Sequence, residues 1–382
     1  MGERIGHMKW KKSLLLILII AGVIIMNINL REEQKQAGPV YLILTESKFI
    51  TALAPLISWR NYDYTVAVET IDGLSDAEIT SVIVSHSNAA YVLIVGNKAD
   101  NLPDSSYVDF NSDGIMDIPI GRFPFSTESK VINLVNKIIA FESAQYYKNR
   151  NALFVASSEA TPPAPGWRTA TYYINDVYPI LQGWNKYTEY SCCGYANCDA
   201  ENNQDGISAI NNGVLLVSYQ GHGGNQMPMY NCNHDINYWF LAYDISLLNN
   251  FNKYPIFVSH GCSTMSLSDT RSTGNVYGWL GIDGMSMANA GFIASVGSLE
   301  ITGGMWGWGT TFYNKLLTEK TLGLAFMKAG KPASPNDGVL VLLGDPALKI
   351  NQIDITTYKN NYLSGTSTFS QFITNANLWV TG

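Results

Sequence analysis

An imidazole and a thiol stand forty residues apart in this chain, each set among glycines: Gly221-His222-Gly223-Gly224 and His260-Gly261-Cys262. A thiol becomes a strong nucleophile only as a thiolate, and a nearby imidazole can take its proton and later deliver it to a leaving amine. Glycine serves the same chemistry, because a position without Cβ lets the backbone turn sharply and lets a substrate carbonyl approach. The amides of Gly223 and Cys262 would then form an oxyanion hole, a device that contributes about 3 kcal/mol to a transition state. With His222 as general base and Cys262 as nucleophile, the pair offers acyl transfer through a thioester. Each motif alone has a plainer reading, Gly-His-Gly as a tight turn and the cysteine as an inert core residue.

Both motifs directly follow short apolar runs, 214–219 and 254–259, which have the length and β-branched content of buried parallel strands. In open α/β sheets ligands bind beyond the carboxyl ends of the strands, so adjacent strands would bring both groups to one crevice. Upstream, 40–44, 64–68 and 91–95 read as strands, with a helix over 76–85. A further helix begins at Ser126, where Val131, Leu134, Val135, Ile138 and Ile139 recur at spacings of three and four. A strand at 151–155 opens a second series, succeeded by a helix over about 169–181. This alternation predicts an α/β fold with mainly parallel sheets. Residues 39–150 and 151–352 are expected to form two side-by-side subdomains, the second bearing the His/Cys pair. A polar linker at 31–38 precedes them, and 353–382, rich in Thr, Ser and Asn, reads as a C-terminal extension.

Beyond the pair itself, several segments resemble the gingipain family of cysteine peptidases, members of the caspase-like clan. They are the strand and loop 91–97 with Asn101-Leu102-Pro103, the Asp113-Gly114 and Gly121-Arg122 segments, 248–258, 291–298, and Leu343-Gly344-Asp345-Pro346-Ala347-Leu348. The likeness runs from about Val40 to Ile350. It implies a caspase-like three-layer sandwich and an endopeptidase with His222 as base and Cys262 as nucleophile. It further implies a third catalytic carboxylate near Glu159 and a specificity loop in which Arg168 stands where relatives carry an acid. A guanidinium there would favour acidic side chains and repel basic ones. Trp306 and Trp308 fall where relatives carry an aromatic pocket wall, and they read equally well as core residues. His260, two positions before the thiol, shares its strand face and reads either as a neighbour of the pocket or as a packed or surface histidine.

The N-terminus carries Arg4, Lys9, Lys11 and Lys12, then an almost purely apolar stretch over 14–26. That is a signal peptide or, since no small-x-small cleavage pattern follows, an uncleaved signal anchor across 1–30. Either places the bulk of the chain outside the cytoplasm, secreted or membrane-anchored, with the basic flank inside. About ten residues separate this segment from the first strand, so no large N-terminal prodomain is expected. The segment holds four of the 24 basic and one of the 31 acidic residues, which leaves 20 against 30 and a net charge of −10. Such an acidic remainder argues against nucleic-acid binding, which needs clustered basic charge.

Of five cysteines, Cys192, Cys193, Cys198 and Cys232 could form two disulfides and leave Cys262 for chemistry. Alternatively Cys193, Cys198, Cys232 and His234 could bind zinc. Asp109, Asn111, Asp113 and Asp117 place oxygens at alternate positions around Gly114, as the start of a calcium loop does; Ile120 replaces the bidentate glutamate and excludes an EF-hand. A structural calcium or an Asx-turn accounts for the spacing. No organic cofactor is expected. The functions that follow are an extracytoplasmic cysteine endopeptidase acting on proteins or peptides, a transpeptidase or sorting variant, or a catalytically silent binding module of the same fold.

Overall fold

The computed structural model describes residues 39–96, 104–156, 172–190, 203–224, 226–230, 236–241, 244–267, 280–301, 305–330 and 339–351. Residues 39 onward cluster as one compact unit. In chain order the first elements are β1 (Val40–Thr45), α1 (Ile50–Arg60), β2 (Thr65–Thr70), α2 (Asp76–Ser85), β3 (Ala89–Val95), β4 (Ile120–Phe123) and α3 (Glu128–Ser143). There follow β5 (Asn151–Ala156), β6 (Asn185–Tyr190), α4 (Asn203–Gly213), β7 (Leu216–Gln220), β8 (Gln226–Tyr230), β9 (Ile236–Leu241) and β10 (Ile256–Ser259). The last are α5 (Leu280–Ser286), β11 (Ala294–Ser298), α6 (Trp306–Thr318), α7 (Leu322–Ala329) and β12 (Leu340–Leu343).

Ten strands form one sheet in the order β2-β1-β3-β4-β12-β11-β10-β7-β5-β6, and β8 pairs with β9 in a separate antiparallel hairpin. Every neighbour in the large sheet is parallel except β11 and β12. The sheet is therefore two parallel blocks running in opposite directions and meeting at that one antiparallel seam. Residues 39–150 supply four strands of the first block, and β12, from the far end of the chain, completes it.

The strand sequences follow from burial on both faces. Tyr41 and Ile43 pack with Leu53 and Leu56 of α1, whereas Leu42 and Leu44 pack with Ile79 and Ile83 of α2. Alternate residues of β1 thus serve two apolar layers, which gives an unbroken apolar run in place of alternation. Local signals set the helix ends: Ser75 accepts from the Glu78 amide while the Glu78 carboxylate accepts from the Ser75 amide, a capping box that starts α2. Helix α3 buries Val131, Leu134, Val135, Ile138 and Phe141 along one stripe. The helix expected over 169–181 is, in its described part, a π-helical turn at Tyr173–Val177.

A buried ion cluster fastens the first block. Arg60, fully buried at the end of α1, donates to Glu142 of α3 at 2.8 and 2.9 Å and to Asp345, just after β12, at 2.6 and 2.9 Å. Tyr41 donates to the same Asp345 at 2.8 Å, and Trp59 to Glu142 at 2.6 Å. Burial alone would raise the Glu142 carboxyl, but the Arg60 guanidinium and these hydrogen bonds hold it below its ordinary value. Three elements distant in sequence are thereby pinned to one point. Arg60→Leu strands two buried carboxylates without a counter-charge and is expected to lower the unfolding free energy by about 3–5 kcal/mol in denaturant titration. A loss under about 1 kcal/mol would show that the cluster does not hold the block together.

Candidate active site

Strands β7 and β10 are hydrogen-bonded neighbours in register, Leu216 opposite Ile256 through Tyr219 opposite Ser259. They run in the same direction, so both carboxyl ends emerge at one edge of the sheet. The His260 amide continues the ladder by donating to the Tyr219 carbonyl at 2.9 Å. Past that bond the two chains turn and meet. A methyl group built on Gly223 would come 2.1 Å from the Cys262 carbonyl oxygen and 2.5 Å from its nitrogen. One built on Gly261 would lie 3.1 Å from the Gly223 Cα and 3.2 Å from the Gly221 carbonyl oxygen. The turn carrying His222 and the turn carrying Cys262 are thus in backbone contact, and only glycine fits between them.

Both turns are held from outside. The Tyr219 hydroxyl donates to the His222 carbonyl at 2.5 Å. Ser263, directly after the thiol, takes a left-handed φ of 52°, which a side chain enters at a cost of about 1–2 kcal/mol. Its amide donates to the Glu300 carbonyl at 2.8 Å, and the Met265 amide to the Ser298 carbonyl at 3.1 Å, so the end of β11 compensates for the strain. Cys262 is partly buried and His222 exposed.

His260, directly after β10, is 1 % exposed. Tyr172, Trp308 and Tyr313 surround its ring at centroid distances of 6.1, 6.2 and 5.9 Å. Its Nε2 lies 3.0 Å from the Tyr313 hydroxyl, which is 2.5 Å from the Ser218 hydroxyl, which is 2.7 Å from the Tyr173 hydroxyl. Its Nδ1 has no partner in hydrogen-bond geometry, although the Met305 backbone lies near enough to favour the protonated ring slightly. Burial outweighs that effect and pushes the imidazole down to about 4. Of the two sequence readings, this is the packed histidine. The polar chain from Tyr173 through Ser218 and Tyr313 was not anticipated; its one signal is Ser218, a hydroxyl inside an otherwise apolar run, which a buried strand must pair.

The remaining candidates divide. Trp308 is buried, donates to the Gly330 carbonyl at 2.9 Å and stacks on Phe312, which favours the core reading over a pocket wall. Trp306 opens α6. Glu159, Arg168, Cys192, Cys193, Cys198, Cys232 and His234 lie outside the described residues, as do 1–38 and 352–382. In the 109–117 turn, Asp109 accepts from the amides of Asp113 and Gly114, Asn111 from that of Asp113, Asp113 from that of Ile115, and Asp117 from that of Phe110. These are Asx-type bonds between the side chains and amides of the turn itself. Among the described residues, no three His, Cys, Asp or Glu side chains converge as a metal site, and no helix is long and apolar enough to cross a membrane.

The buried neutral imidazole has a consequence for acid stability. The unfolded chain binds a proton at His260 near pH 6.5 and the folded chain only near pH 4, so stability from this group is complete above about 6.5 and lost as pH falls towards 4. The loss amounts to about 3 kcal/mol. The unfolding free energy of wild type should therefore fall between pH 7 and 4 by about that much more than that of His260→Phe in denaturant titration; parallel profiles would contradict the assignment.

Comparison with known proteins bears on the family and the fold. Gingipain R1 of Porphyromonas gingivalis is 22% identical over 253 residues, which is 60% of this chain and 24% of that protein. Gingipain R2 of the same organism is 22% identical over 253 residues, covering 60% of this chain and 33% of its own length. The chain thus spans a third or less of these relatives. Among solved structures, the complex of Porphyromonas gingivalis RgpB pro- and mature domains superposes with a TM-score of 0.65 at 19% identity, covering 82% of this chain and 80% of that one. This likeness establishes the caspase-like fold. The profile of peptidase family C25 matches residues 34–351, most of the sequence. The chain belongs to peptidase family C25, a family of cysteine peptidases.

Proposed function

We propose that this protein is an extracytoplasmic cysteine endopeptidase in which Cys262 is the nucleophile and His222 the general base. The observation that carries the reading is the backbone contact between Gly223 and Cys262, which sets the imidazole-bearing turn against the thiol-bearing one. His222 takes the Cys262 proton, and the thiolate attacks the scissile carbonyl, forming a carbon–sulfur bond as the carbonyl π pair moves to oxygen. The amides of Gly223 and Cys262, on the two touching turns, are the donors assigned to that oxyanion. The tetrahedral species collapses, the carbon–nitrogen bond breaks, and the amine leaves with the proton from His222. Water, deprotonated by the same imidazole, then hydrolyses the thioester and restores the thiol. The substrates are proteins or peptides, in keeping with family C25. The extracytoplasmic location rests on the basic and apolar N-terminal pattern.

The test is cleavage of a proteome-derived peptide library, read by sequencing the fragments, beside labelling with a thiol-directed activity probe. Wild type should cut peptides and be labelled at Cys262. Cys262→Ala and His222→Ala should each lower cleavage by about three orders of magnitude, with probe labelling lost in both. Cleavage that survives in Cys262→Ala would assign the chemistry elsewhere. Correctly folded wild type that neither cuts nor labels would point to a silent binding module.

A further inference from the structure

The polar chain from His260 to Tyr173 links the two strands on which the proposed reaction depends. His260 directly follows β10, two residues before Cys262, and Ser218 belongs to β7, four residues before His222. The Tyr313 hydroxyl, supplied by α6, bridges them, at 3.0 Å from the imidazole and 2.5 Å from the Ser218 hydroxyl. The π-helical turn adds Tyr173 to Ser218 and sets Tyr172 against the imidazole. Helix α6 is shaped around this ring: a methyl group on Gly309 would come 2.2 Å from its Cε1 and 2.5 Å from the Tyr172 hydroxyl. Packing alone does not explain the choice. A buried imidazole with one nitrogen outside hydrogen-bond geometry is less favourable than an apolar side chain of similar shape.

We propose that His260 is a positioning residue of the peptidase, one that fixes the Gly261-Cys262 turn against Gly223 by tying the end of β10 to β7 through Tyr313 and Ser218. This rests on the peptidase reading above. The bond fixes the height of one turn relative to the other, and a displacement of about 1 Å at such a contact lowers catalysis by up to about a hundredfold. A positioning role of this kind acts on kcat and leaves KM largely unchanged.

Steady-state kinetics of His260→Phe, His260→Gln, Tyr313→Phe and the His260→Phe/Tyr313→Phe double variant test the assignment, with melting curves to set the folded fraction. His260→Phe keeps the ring shape and removes the bond; kcat per folded molecule should fall about tenfold or more while KM stays within about twofold. His260→Gln, which retains a hydrogen-bonding group, should recover much of the loss. Tyr313→Phe should fall in the same direction, and the double variant should be no worse than the worse single, because both act through one bond. Should His260→Phe fail to fold, Tyr313→Phe alone decides. Wild-type kcat in either folded variant, equal losses in Gln and Phe, or additive losses would overturn the positioning role. Absence of His222-dependent labelling of Cys262 in wild type would instead overturn the peptidase reading, and this one with it.

Discussion

The closest approach in the site is between main chains. Gly223 lies so near Cys262 that a single added methyl would sit 2.1 Å from the Cys262 carbonyl oxygen. An imidazole and a thiol on flexible loops would meet only part of the time, whereas turns in backbone contact at the ends of hydrogen-bonded parallel strands hold their side chains on short leashes. That contact has two requirements: β7 and β10 must be neighbours of the same direction, and both turns must carry glycine where they touch. The sheet supplies the first and the sequence the second.

Much of the remaining architecture secures those two strands. The carbonyls of Ser298, at the end of β11, and of Glu300, just past it, accept the amides of Met265 and Ser263 and so hold the strained turn after the thiol. His260, Tyr313, Ser218 and Tyr173 join β10, α6, β7 and the π-helical turn. Farther away, Arg60 with Glu142 and Asp345 closes the first parallel block, and the antiparallel pairing of β11 with β12 joins that block to the one carrying His222 and Cys262. Lys137 of α3 donates to the carbonyls of Gly284, Ala290 and Phe292, so the same helix that carries Glu142 also braces the approach to β11.

Which of these features could be read from the sequence depends on the range of the interaction responsible. The strands flanking the site were legible because burial on both faces leaves an apolar run bounded by glycine, and α2 because its capping box is local. Helix α1 was not, since Pro55 lies inside it and its apolar residues do not fall on one face. The reversed direction of β12 leaves no trace in its own residues, which are buried either way. The Arg60 cluster joins residues up to 304 positions apart, and nothing local marks Asp345 as the partner of Arg60. At the candidate site, His222 and Cys262 stand out by residue type and position at strand ends. The role of His260 was open because i and i+2 periodicity gives its face but not its neighbours, and Tyr313 could be connected to it only once α6 was placed.

Backbone contact, fold and membership of peptidase family C25 together favour a thiolate and an imidazole acting on one carbonyl. The most direct measurement is intact-protein mass spectrometry after mixing with a peptide ester whose acyl-enzyme deacylates slowly, with peptide mapping of the adduct. The account predicts rapid acylation of Cys262 in the wild-type chain and none at that residue in Gly223→Ala, whose methyl forces the two turns apart. Acylation of Gly223→Ala at the wild-type rate would contradict it, because the contact would then have no bearing on the chemistry.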